Sequence, residues 1–249
     1  MITNLKAEFR KVFSVRSTYI ILAFVLILEI VFAFWSSGWR IDAHDLHNPA
    51  TLTNDITSAV SAVSVFVALI AALLMTHEYR YNTIMYSLTL SKSRTRVLIA
   101  KILVISLVAV AFTVVVGALS PLLSVLGAHM NHLKFAPQTL HYGTLLWHSL
   151  FFGWGYAMAG LLIAALIRNQ IGAIVALFLA PDTIEGILSL LLKKNTAYLP
   201  FSSLHAVIGQ GMGQYLHVIT PARSAAVFMV YLVIGWIIAW VLFVRRDAN

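Results

Sequence analysis

Six apolar runs, at 18–36, 56–75, 98–125, 145–167, 171–192 and 223–244, constrain this chain more than any other feature. Each is long enough to cross about 30 Å of hydrocarbon as an α-helix, which takes roughly 20 residues. Strands fit poorly, because membrane-barrel strands alternate apolar and polar residues over about 10 positions and these runs do not. The chain is 60% hydrophobic and 10% charged, where a soluble domain carries roughly 25% charged residues. No loop is large enough to fold separately, so residues 1–249 read as a single transmembrane domain of the all-α class. The first run follows charged residues as in a signal peptide, but it is too long for that role. Trp35-Ser36-Ser37-Gly38-Trp39 stands where a small-residue cleavage site would be, so a retained span is expected. The chain has no cysteine, which excludes disulfides and thiolate chemistry.

The net charge of +8 is an orientation signal and not a nucleic-acid footprint, since no basic domain stands clear of the apolar runs. With both termini in the cytoplasm, twelve basic residues fall inside and five outside, the bias expected of short loops. This predicts residues 76–97 inside, with 37–55, 126–144 and 193–222 outside. Trp35, Trp39, Tyr142 and Trp147 then fall near the outer boundary, and Tyr19 and Trp240 near the inner one, as an aromatic belt.

Residues 1–17 precede the first run. Ile2, Leu5, Phe9, Val12 and Phe13 recur at helical spacing, with Lys6, Arg10 and Lys11 mainly off that stripe. This pattern predicts an amphipathic helix in the inner headgroup region with its apolar face in the acyl chains. The full expectation is therefore six transmembrane helices preceded by an interfacial helix. In the fourth run Gly153, Ala157, Gly160 and Ala164 share one helix face and predict close helix packing. Thr57, Ser61, Ser64 and Ala68 form a similar row in the second, which suits either packing or a wet path.

Glu29, Asp182 and Glu185 lie inside apolar runs. A charge at the bilayer centre costs roughly 2.5–3.5 kcal/mol even on lenient scales, so such groups face protein or water. Asp182 and Glu185 are three apart, hence on one face of a helix, and Pro181 before them is expected to kink or split that span. Together with Ser61 and Ser64 they are candidates for lining a transport path. The alternative is a protonated or paired carboxyl at an interhelical or subunit contact.

Eight of the nine histidines fall outside in this topology, including His44/His47, beside Asp42 and Asp45, and His129/His132. Neither three-residue spacing is a specific zinc motif, and no metal site is assigned. His47-Asn48-Pro49-Ala50 contains the triplet that aquaporins carry twice, but no second copy is present and an Asn-Pro turn accounts for it. His77-Glu78 resembles the start of a zinc-protease motif, but Tyr81 occupies the place of its second histidine. With no G-x-S-x-G and no Ser/His/Asp arrangement, no catalytic residue is assigned.

One polar stretch, Thr76 to Arg96, separates the second and third runs. Tyr81, Ile84, Met85 and Leu88 form an apolar stripe flanked by Glu78, Arg80, Asn82 and Thr83, which predicts a short amphipathic helix over 78–90 suited to a groove on a partner. The chain has no G-x-x-x-x-G-K-[ST], so any ATP that drives it is bound by another polypeptide.

Glu78-Tyr79-Arg80-x-x-Thr83, followed by Leu88, Ser91-x-x-Arg94 and Lys101, resembles the first cytoplasmic loop of type 2 ABC-exporter permeases. The N-terminal helix, the polar Leu199-Pro200-Phe201-Ser202-Ser203-Leu204 and the basic Val244-Arg245-Arg246-Asp247 are also similar to that family's layout. The resemblance implies a half-transporter of the cytoplasmic membrane, with two permease copies or a pair of related permeases. Two separate ATPase subunits would carry ATP and Mg, and no cofactor would be bound by this chain. It implies that 78–90 is the coupling helix, with Glu78, Arg80, Tyr81, Thr83, Ile84, Met85 and Leu88 as ATPase-coupling residues. It also implies that the second and fifth spans line the path at the subunit interface. The alternatives are a passive six-span channel of aquaporin-like size and a non-transporting immunity or anchoring protein.

Overall fold

The structure, a computed structural model, describes residues 2–34, 49–81, 83–84, 86, 93–130, 142–210 and 219–245. It is helical throughout, with no strand among the described residues. In chain order the elements are α1 (Ile2–Ser14), α2 (Arg16–Phe34), α3 (Pro49–Arg80), α4 (Arg94–Met130), α5 (Tyr142–Ile167) and α6 (Gln170–Leu179). A π-helical turn (Ala180–Ile184), α7 (Glu185–Leu192), a 3-10 turn (Lys193–Tyr198), α8 (Pro200–Val207) and α9 (Pro221–Arg245) complete it.

Five stretches are long and apolar enough to cross a membrane: Ile56–Arg80, Arg94–Ser120, Gly143–Ile167, Gln170–Tyr198 and Pro221–Arg245. The first apolar run is the exception. Its stretch Thr18–Val31 joins Asn4–Ser14 at a 64° bend, and the two qualify only when taken together. The expectation of six spans thus becomes five, or six if the bent pair counts as one.

Helix α1 does not present its whole apolar stripe outward. Val12 is buried in the bundle, while Leu5 and Phe9 are exposed. Phe9 stacks on Phe13 at 4.9 Å between ring centres, and Phe13 reaches Tyr19 across the bend at 6.3 Å.

The core is organised around α5, which packs against α3, α4, α6 and α9. Its small-residue row works by backbone proximity, because a Cβ on Gly160 would lie 2.4 Å from the carbonyl oxygen of Ala68 on α3. Ala157 and Ala164 are fully buried beside it, and Gly153 abuts Thr113 of α4. A two-residue link then turns the chain into α6. Arg168 adopts φ 56, a left-handed conformation that usually falls to glycine at a helix end, and Asn169 caps α6 by accepting from the Gly172 N–H at 2.9 Å.

Pro181 does not split its span. Lacking an N–H, it is accommodated by the π-helical turn, and the helix resumes at Glu185 within one continuous apolar stretch. The two acids expected on one face differ in burial: Asp182 is exposed and Glu185 buried. Within the segment 193–222, residues 193–210 are largely helical. Helix α8 folds back against α5 and α9, burying Phe201, Ser203, Leu204 and Val207. Higher in the bundle Glu29 of α2 is fully buried and accepts a hydrogen bond from the Ser120 hydroxyl of α4, an interhelical polar contact.

Candidate functional site

Three helices converge on one buried cluster of charges at the end of the bundle where α3 stops. Lys101, on the second turn of α4, is 0% exposed although it carries an ammonium. Such a group persists only with partners, since taking a charge out of water costs several kcal/mol after relaxation. Its Nζ donates to Glu8 Oε2 of α1 at 2.8 Å and to Glu78 Oε1 of α3 at 2.7 Å. Lys11, one turn after Glu8 on α1, reaches Glu8 Oε1 and Glu78 Oε1, each at 2.6 Å. Two ammoniums and two carboxylates give a net-neutral knot that ties α1, α3 and α4 together. Burial opposes the charge on Lys11, but Glu78 first and Glu8 second outweigh it and hold its pKa above the usual 10.5. The second oxygen of Glu78 has no hydrogen-bond partner among the described residues.

Immediately beyond the knot the chain leaves α3. The Tyr81 N–H donates to His77 O and the Thr83 N–H to Glu78 O, closing a turn. Glu78 and Arg80 therefore occupy the last turn of the long helix α3; beyond the turn Ile84 and Tyr86 are helical again, and Asn82, Met85 and 87–90 of the expected helix lie outside the described residues. The expected stripe divides accordingly. Ile84 is buried at 1% exposure, whereas Tyr81 is 63% exposed and Thr83 and Tyr86 are exposed too. Met85 and Leu88, with Asn82, lie outside the described residues. Arg80 sits over the Tyr81 ring at 5.5 Å and donates to Gln170 at the start of α6 at 2.9 Å. The loop is thus fastened to α6 as well as to α1 and α4.

Around the same end, arginines close the C-terminus of α9. Arg94 Nη1 donates to Val244 O at 3.3 Å and Arg168 Nη2 to Leu242 O at 3.0 Å, satisfying carbonyls that a helix end leaves open. The Arg168 guanidinium also lies 5.4 Å over the Tyr79 ring, and Trp240 Nε1 donates to Thr95 at 3.1 Å. Nearly every element with a terminus here is bonded to another.

At the opposite end Glu185 caps α8 from a distance in sequence. Its carboxylate accepts from the Phe201 N–H at 2.7 Å and from the Ser202 N–H and hydroxyl at 2.6 Å each. An acid at a helix N-terminus satisfies orphan donors and complements the helix dipole. The Tyr156 hydroxyl of α5 meets His205 Nε2 of α8 at 3.1 Å, with Phe201 and Phe152 rings packed around them. Of the residues proposed to line a path, Ser64 is buried and its hydroxyl donates to Val60 O within its own helix at 2.7 Å. Ser61 is half-buried and Asp182 lies on the bundle surface. No group of three or more His, Asp or Glu among the described residues is arranged to hold a metal ion. His44, His47, His132, Asp42 and Asp45 lie outside them.

Two features escaped sequence reasoning, Glu8 as a partner and the burial of α8. Glu8 had a signal, being the one acid in the basic residues 1–17. Lys101 had one as well, as the one charge inside the run 98–125. A lone lysine in a span requires an acid, and Glu8 and Glu78 were available.

Residues 4–181 match the family described as ABC-2 family transporter protein, so the chain belongs to that family of multi-pass membrane transport components, which generally work with an ATPase partner. No match was found among curated proteins.

Proposed function

We propose that this ABC-2 family member is the membrane-spanning permease of an ATP-driven exporter of the cytoplasmic membrane, with α1 lying at the inner headgroup level and α2 as the first of six spans. The observation that carries the reading is the loop after α3, an exposed aromatic tip clamped at its base to α1, α4 and α6. Two ATPase subunits holding ATP and Mg dock against that tip on two permease copies. ATP binding draws the subunits together, and the loops follow as rigid bodies. Because Glu78 is bonded to Lys101 and Lys11, loop movement is passed to α1 and α4 together. Tyr81, Thr83 and Arg80 form the contact, with Met85 and Leu88 extending it, while Glu78 and Ile84 anchor the loop from inside. Ser61 and Asp182 are assigned to the path or the face between permease copies, and Glu185 to holding α8.

Tyr81→Ala and Arg80→Ala should insert normally and weaken the ATPase contact, about 30-fold for an anchoring aromatic worth roughly 2 kcal/mol. The measurement is stimulation of ATP hydrolysis by the permease together with co-purification of any ATPase encoded beside it. Unchanged stimulation in both variants would remove the loop from the interface. A permease that transports with no ATPase attached would point to a passive channel.

Orientation is tested separately. A cysteine placed at Ser93 in this cysteine-free chain should resist impermeant thiol reagents in intact cells and react in inside-out vesicles. Reaction from outside would invert the topology, and the ATPase contact with it.

A further inference from the structure

Beneath α1, at its bend into α2, lies a cavity of about 800 Å³ whose lining runs from that bend to Glu78, Tyr81 and Thr83 of the loop. Its volume falls in the range of pockets that enclose most of a small amphiphilic ligand. Val12, Ile70, Leu73 and Leu74 supply an apolar floor, and Lys11 and Arg16 stand on its lining where α1 turns into the bundle. The geometry points to a site for one anionic phospholipid of the inner leaflet, with an acyl chain on that floor and the phosphate at Arg16. The inference rests on the orientation proposed above, which puts this bend at the headgroup level, and it does not depend on the ATPase.

The charges choose the occupant. Residues 1–17 carry Lys6, Arg10, Lys11 and Arg16 against one acid, Glu8. That acid is already engaged by Lys101 and Lys11, and so is Glu78 on the cavity wall. Among the described residues no carboxylate pairs with Arg16, which is exposed. The mouth of an apolar cavity thus holds a cation in surplus, and an anionic headgroup complements it where a zwitterionic one does so only in part. A free phosphate would leave the apolar floor in contact with water, so both parts of the site call for a lipid. Because Glu78 lines the same cavity, an occupant there touches the knot that holds the loop.

The purified full-length chain in detergent is titrated with phosphatidylglycerol, phosphatidylcholine or glycerol 3-phosphate, and bound ligand is counted by native mass spectrometry. The expected result is one retained phosphatidylglycerol, preferred about fivefold over phosphatidylcholine, as one basic residue near an anionic surface confers. Arg16→Gln should abolish that preference, while Arg10→Gln, on a residue that does not line the cavity, should keep it. Leu73→Trp fills the floor and should lose both lipids. Should that variant misfold, the comparison of Arg16→Gln with Arg10→Gln still decides. Equal retention of the two lipids by the unaltered chain, or equal behaviour of the two arginine variants, would overturn the proposal. So would glycerol 3-phosphate binding as well as the lipid, which would indicate a soluble phosphate ligand.

Discussion

Replacing Lys101 with methionine should destabilise the protein by about 3–5 kcal/mol, the usual result of removing one partner from a buried ion pair. Methionine matches the length of the side chain but leaves Glu8 and Glu78, 3% and 5% exposed, facing each other with only Lys11 between them. Two buried carboxylates sharing one cation cannot both stay ionised without strain. One takes up a proton, or α1 detaches from α4 and lets water in. Size-exclusion after a temperature ramp should show loss of the folded peak well below the melting temperature of the unaltered protein.

A rescue identifies the cause. Adding Glu8→Gln and Glu78→Gln to Lys101→Met removes the stranded charges and keeps hydrogen-bonding groups in place. Neutral replacement of a whole buried network is often nearly harmless, so most of the lost stability should return. If the triple variant is no better than Lys101→Met, the loss comes from packing around the lysine stem. If Lys101→Met melts like the unaltered protein, the knot contributes nothing to stability.

What could be read from the residues divides along physical lines. The apolar runs registered as helices because twenty hydrophobic residues in succession have few other stable states. The row Gly153, Ala157, Gly160 and Ala164 was legible as a packing face because small residues at helical spacing serve backbone approach in any context. The loop after α3 was legible as a polar interruption, but not its internal split, with Ile84 inward and Tyr81 outward. Periodicity assumed one unbroken α-helix past Arg80, whereas the chain turns at Tyr81 and Thr83 before it is helical again at Ile84 and Tyr86. Pairings distant in sequence were not legible. Lys101 joins Glu8 across 93 positions, and Glu185 caps a helix that begins 15 residues later. Asp182 and Glu185 could be paired by their three-residue spacing, but not told apart in burial, because the π-helical turn at Ala180–Ile184 is not written in the periodicity.

The row in α5 leads to the other large effect. Gly160→Val should separate α3 from α5 and abolish a stable fold. Even the first carbon of the new side chain would sit 2.4 Å from the Ala68 carbonyl oxygen and 2.9 Å from Ala68 Cβ. The nearer contact is backbone, so no rotamer change on α3 relieves it, and the helices must move apart along their closest contact. Overpacking a core typically costs about 1–3 kcal/mol where side chains can yield, and more is expected where a main chain must shift. Gly160→Ala should therefore already be destabilised, with valine worse. Gly143 on the same helix provides the control. A Cβ there meets nothing within 4 Å, so Gly143→Ala should be neutral or gain about 0.5–1 kcal/mol from helix propensity. Ala68→Gly should not rescue Gly160→Val, because it removes the Cβ contact and leaves the carbonyl in place. Thermal melts of the purified variants in one detergent provide the comparison. Should Gly160→Val melt alongside Gly143→Ala, the close approach of α3 and α5 is wrong.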